Sequence, residues 1–164
     1  MVNITASLLC LVFSSGPPDF WLTDYRKKLV CDHSDLIVQE SIKNDIDPSL
    51  LAALITVESN WDKDAVSYAN ACGLTQVIPK YTGWITKKYT CNQLKNPRTS
   101  IKVGAKILGW WLNYHNKSIP SALCGYAAGF RCGKNAEKPS KGGMRYAKKV
   151  LKMQKIILDK AAQF

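Results

Sequence analysis

Glu58 is the residue whose placement most invites chemistry. It lies seven residues after Leu51, four after Leu54 and three after Ile55, a spacing that sets its carboxylate on the apolar stripe of a helix. The helix ends close by, so the negative end of its dipole faces the group. Burial and dipole both disfavour the ionised form and raise the pKa. A carboxylic acid kept partly protonated near neutral pH is what a general acid needs. The same spacing also describes a boundary glutamate whose stem packs while its head reaches water, and geometry alone favours that plainer role.

What surrounds Glu58 in the sequence changes the weighting. Glu58-Ser59 closes the helix, and a polar, glycine-containing turn follows with Ser67, Asn70-Ala71 and Gly73-Leu74-Thr75-Gln76, leading into the apolar run Val77-Ile78-Pro79. Downstream come Asn96-Pro97 before a long helix, then Ala122-Leu123, Gly125-Tyr126-Ala127 and Gly129. Any one of these motifs is weak, but the ordered set is specific. It resembles the lytic transglycosylase catalytic domain, the soluble transglycosylase group within the lysozyme-like superfamily, over roughly residues 36 to 151. That family has Glu-Ser at a helix end, then Gly-Leu-Met-Gln after a short loop, then Ala-Tyr-Asn. Thr75 stands here in place of the usual Met and Ala127 in place of the usual Asn.

The resemblance implies a peptidoglycan-cleaving enzyme with glycan strands as its partner and no cofactor. Glu58 would protonate the glycosidic oxygen between N-acetylmuramic acid and N-acetylglucosamine, then serve as base on the muramyl 6-hydroxyl, giving a 1,6-anhydro end. Gln76 and Tyr126 would position the muramyl sugar, and Tyr126 would also hydrogen-bond the Glu58 carboxyl group. Ser59, Ser67 and Thr75 would line the cleft more loosely, with the Thr75 backbone offered to an N-acetyl group. Trp84, Trp110, Trp111 and Tyr114 have flat faces suited to sugar rings, although aromatics at helical spacing are most often core.

Three competing readings stand beside this one. A true lysozyme would hydrolyse the same bond with a second carboxylate, for which Asp62 and Asp64 are the nearby candidates. A non-catalytic binder would use the basic C-terminal stretch, and a virion structural protein would carry the activity as a secondary task. The chain has a formal charge of +11, from 23 basic and 12 acidic residues. Nine Lys or Arg stand against Glu137 and Asp159 between Lys134 and Lys160. Such a surface attracts polyanions, whether nucleic acid, anionic lipid or a wall polymer, or is simply a solvated helix face. No motif points to a specific nucleic acid. Small size, basic charge and a weak N-terminal signal suggest a phage origin, as a lysis enzyme or as a particle component that meets other virion proteins. In either case the site of action is the bacterial cell wall.

With 164 residues, 46% of them hydrophobic, the chain is long enough for one domain with a real core. The expected division is an apolar segment over 1–18, closed by Pro17-Pro18, followed by the lysozyme-like domain over 19–164. Leu8, Leu9, Leu11, Val12 and Phe13 resemble the centre of a secretory signal, but no Lys or Arg precedes them. No apolar run reaches the ~18 residues of a spanning helix. The six cysteines are even in number, and Cys72 and Cys124 sit in segments that read as buried, where a small apolar role is at least as natural as a disulfide. With no CxxC pair and only His33 and His115, no metal site is expected.

The fold class that must position these groups is all-α, with a small irregular or β-like patch over 62–71. Helices are expected near Ser34–Asn44, from Asp47 and Pro48 to Glu58, along the face Ile101, Gly104, Leu108, Trp111 and Leu112, from Ser118 to Tyr126, and along Tyr146, Ala147, Val150, Met153 and Ile157.

Overall fold

The computed structural model describes residues 3–15 and 22–164. Its helices are α1 (Ala6–Ser14), α2 (Asp24–Lys43), α3 (Pro48–Ser59), α4 (Pro79–Thr82), α5 (Cys91–Leu94), α6 (Pro97–Tyr114), α7 (Ile119–Ala128) and α8 (Lys141–Ala161). A short 3-10 turn at Gly129–Cys132 follows α7. The expected all-α class is what forms. The irregular patch is real but reaches further than expected: isolated bridges join Val66 to Cys72 and Cys72 to Val77, and no strand forms among the described residues.

Helix starts follow the capping chemistry. The Asp47 carboxylate accepts from the Ser49 backbone N–H at 2.8 Å, with Pro48 in the first turn. Asn96 caps α6 through Thr99 N–H at 3.1 Å, and Ser140 caps α8 through Gly143 N–H at 3.2 Å. α2 is longer than the helix expected near Ser34–Asn44. α2 begins at Asp24, capped by Thr23, ten residues before Ser34. Asp24, Arg26, Lys27, Lys28 and Asp32 break the apolar period of its first turns, yet Leu29 and Val30 are buried. Ile42, although apolar, is 72% exposed.

α3 is the centre of the fold, with Leu50 through Ile55 all buried. It packs on α2 and α8, and α7 lies between α6 and α8. α1 joins the same core through Leu9, Val12 and Phe13, the last meeting Trp61 edge-on with ring centroids 5.4 Å apart. The Pro17-Pro18 boundary lies outside the described residues. Lining up a domain of this size against its conformational entropy takes many such buried side chains, each worth roughly 1.5–3 kcal/mol.

The structure pairs the cysteines, a point the sequence leaves open. Cys10 pairs with Cys31, Cys72 with Cys91 and Cys124 with Cys132. Cys72 and Cys124 are fully buried, as expected, but as half-cystines rather than as small apolar groups. The first bridge ties α1 to α2, the second ties the irregular patch to α5, and the third ties α7 to the turn after it.

Candidate active site

A cleft of about 930 Å³ opens between the irregular patch and α4 on one side and the α7 end with its 3-10 turn on the other. Glu58 and Tyr146 lie in it together, brought from α3 and α8, helices that pack directly on one another. The Tyr146 hydroxyl donates to Glu58 Oε1 at 2.6 Å. Burial pushes the Glu58 carboxyl up from 4.5 to about 7, and the Tyr146 hydrogen bond partly offsets that rise. Burial raises both tyrosines well above their ordinary value, and the nearby Glu58 charge adds to it, so Tyr126 and Tyr146 act as neutral O–H donors.

The wall beside Glu58 is built from a loop with unusual backbone. Asn60, Trp61, Asn70 and Gln76 all have positive φ, as does Gly73 at 76°. Only glycine fits at position 73, because a Cβ there would run into the Leu94 carbonyl. The loop is pinned from three directions. Ser59 Oγ donates to Leu74 O at 2.9 Å, Tyr126 Oη donates to Thr75 O at 2.8 Å, and Thr75 Oγ1 donates to Ser100 O at 2.9 Å. Gly104 of α6 makes room for the last of these, since a Cβ there would lie 2.5 Å from the Thr75 side chain. Trp61, fully buried and donating from Nε1 to Thr56 Oγ1 at 2.9 Å, fixes the exit of the helix that carries Glu58.

The predicted site residues separate into two groups. Glu58, Ser67, Gln76 and Tyr126 line the cleft. Gln76 spends its amide N–H groups on Ala65 O at 3.1 Å and Gly73 O at 2.9 Å, which leaves its amide oxygen to accept from a ligand. Ser67 Oγ accepts from Ala71 N–H at 3.1 Å and keeps its own proton to donate. Ser59 and Thr75 do not line the cleft. Thr75 is fully buried, and its backbone is spent, N–H on Ser100 Oγ and carbonyl on Tyr126, so it is not available to an N-acetyl group. Both residues act by holding the wall.

Two further placements differ from the sequence reading. The hydrogen bond to the Glu58 carboxyl comes from Tyr146, not Tyr126, whose hydroxyl holds the Thr75 carbonyl instead. The sequence sets Tyr146 among the core residues of α8, and its signal is there: its hydroxyl is a polar tip that burial obliges to find a partner, as the Gln154 amide on the same helix finds Ser49 Oγ at 3.0 Å. The candidate second carboxylates are also out of place. Asp62 binds Arg26 at 3.1 Å and Asp64 binds Lys63 at 2.7 Å, and neither lines the cleft. Aromatics border it instead: Trp84 and Phe130, 72% and 54% exposed, face each other across its rim with ring centroids 6.5 Å apart. Trp110 and Trp111 both line the cleft, and Trp111 is buried while Trp110 is partly open.

Residues 35–148 match the family described as the transglycosylase SLT domain. The chain belongs to this family. Among solved structures it is similar to the X-ray structure of an inactive mutant of the lytic transglycosylase Slt from Pseudomonas aeruginosa, at 23% sequence identity and a TM-score of 0.68. That match covers 78% of the present chain and 24% of the Pseudomonas protein, so the chain spans about a quarter of that protein's length. At this identity the likeness shows a shared fold.

Proposed function

We propose that this transglycosylase-family domain cleaves the β-1,4 bond between N-acetylmuramic acid and N-acetylglucosamine in peptidoglycan, with Glu58 as its sole acid and base. The observation that carries the proposal is a single carboxyl group, held protonated to about pH 7, in a cleft whose described lining contains no second carboxylate. Glu58 gives its proton to the glycosidic oxygen as the bond to the muramyl anomeric carbon breaks. The muramyl 6-hydroxyl then closes on that carbon and returns its proton to Glu58. No water needs activation, so the partner carboxylate of an ordinary glycosidase is not required. Tyr146 orients the carboxyl group and is a positioning residue. Gln76 and Ser67 offer an acceptor and a donor to the sugar, and the Trp84–Phe130 rim offers apolar faces to its ring.

The setting fits the same proposal. Three disulfides among the described residues suit a protein that matures and works in an oxidising space such as the bacterial envelope, where the wall lies.

The test is Glu58→Gln, which keeps volume and can still accept from Tyr146 but can neither give nor take the proton. General acid–base catalysis is commonly worth ~10²–10⁴ in rate. Purified Glu58→Gln protein should lose the clearing of purified sacculi while keeping its circular dichroism and thermal transition. Retention of more than about a tenth of parental activity would remove Glu58 from this role.

A further inference from the structure

The charge on α8 is not spread evenly. Between Arg131 and Lys152 eight basic residues stand against Glu137 alone. Lys141, Arg145, Lys148 and Lys152 recur at spacings of four, three and four, which stacks them in one stripe, with Lys149 beside it. All five are exposed, and none makes an ion pair among the described residues. The stripe extends roughly 16 Å at 1.5 Å per residue. A row of unpaired like charges repels itself, and nothing else in the fold uses it.

Its position gives it meaning. The opposite face of the same helix carries Tyr146, whose hydroxyl touches Glu58. At its N-terminal end the stripe joins the cleft: Ser140 N–H donates to the carbonyl of Arg131, and Arg131 lines the cleft. The third disulfide sits under this junction, against Gly143, and fixes the start of α8 beside the turn that bears Arg131. A basic track therefore runs from the cleft mouth outward along α8.

We infer that Lys141, Arg145, Lys148, Lys149 and Lys152 form a docking strip for the carboxylates of peptide stems on the glycan strand being cut, so that the domain prefers stem-bearing strands to bare glycan. The inference rests on the proposed peptidoglycan cleavage and extends it to the peptide part of the substrate. Muramyl stems carry carboxylates at intervals along the strand, which suits a row of cations better than one deep pocket. A single exposed ion pair is worth little, but two or three engaged together give roughly a tenfold change in affinity. Salt weakens such contacts, because the Debye length falls from about 10 Å at 0.1 M to about 3 Å at 1 M.

The experiment compares two soluble glycan oligomers of equal length, one with stems and one stripped of them by an amidase. The parent protein should show a KM roughly tenfold lower for the stem-bearing oligomer at low salt, with kcat little changed and the preference gone near 1 M salt. A variant with Lys141, Arg145, Lys148, Lys149 and Lys152 all changed to Gln should cleave the stripped oligomer as the parent does and lose the preference. A second variant, with the four lysines changed to Arg, keeps the charge and should keep the preference. Equal KM values in the parent, or a preference that survives in the Gln variant, overturns the docking strip and leaves cleavage itself standing. Tighter retention of duplex DNA than of stem-bearing glycan at 0.15 M salt also overturns it. If the parent cleaves neither oligomer, the failure is that of the cleavage proposal beneath.

Discussion

Two parts of the cleft are held in place by different means. The acid stands on α3 against α8, where regular helices bury apolar stripes and a single hydrogen bond sets the carboxyl group. The wall beside it, residues 60–77, has almost no regular structure. It is kept in shape by positive-φ residues, side-chain bonds from Ser59, Tyr126 and Ser100, and the Cys72–Cys91 bridge. Packing suffices to place a group whose chief need is burial. Presenting an amide oxygen and a hydroxyl to a sugar requires backbone that no helix supplies, and that backbone must be tied from outside.

The contrast can be broken from the loop side first. Replacing both Cys72 and Cys91 by Ala frees the wall from α5. With a sequence separation of 19 between the cysteines, stability should fall by about 3 kcal/mol in urea unfolding under non-reducing conditions. Cleavage should weaken further than stability alone requires, through KM. An unchanged KM at a temperature where the variant is folded would show that the wall holds its shape without the bridge.

On the helical side the expected effect has the opposite sign. Glu58 binds its proton more tightly folded, at about 7, than its ordinary value of 4.5. The folded state therefore holds the extra proton between those values, and stability falls as pH rises through that window. Glu58→Gln escapes this loss. Its thermal stability relative to the parent should rise between pH 5 and pH 8, by at most about 3 kcal/mol. A difference that stays flat with pH would mean that the carboxyl group is not held protonated by burial.

Tyr146→Phe sharpens the same point with a smaller effect. Removing the hydroxyl removes the one contact that lowers the Glu58 pKa, so the alkaline fall of kcat/KM, expected above about pH 7, should move to higher pH. An unmoved profile would show that Tyr146 does not act through Glu58. The smallest change is Tyr126→Phe, which costs the bond to the Thr75 carbonyl and about 1 kcal/mol, measured by denaturant unfolding. A larger effect on turnover than on stability would return Tyr126 to direct contact with substrate.

The same contrast explains what the sequence disclosed. Glu58 on its apolar stripe, the Asp47 cap and the faces of α6 and α8 follow from helical period, and period is visible in a string of residues. The roles of Ser59 and Thr75 were not, because a hydroxyl that faces a ligand and one that ties a loop look alike in sequence. Tyr146 was read as core since its partner lies 88 residues away on another helix. The disulfides were hidden for the same reason: pairing depends on which segments meet, and Cys72 meets α5 only after the loop has folded. The family motif carried Gln76 and Tyr126 into the cleft but transferred to Tyr126 a bond that this chain gives to Tyr146.

In the proposed reaction one carboxyl group does both proton transfers and no water is activated. Mass analysis of the muropeptides released from purified peptidoglycan tests it most directly. Single-carboxylate cleavage gives 1,6-anhydro-muramyl ends, lighter than hydrolysed ends by the mass of one water. Reducing muramic acid ends from the same digest would contradict it and require a water-activating group that the described cleft does not show.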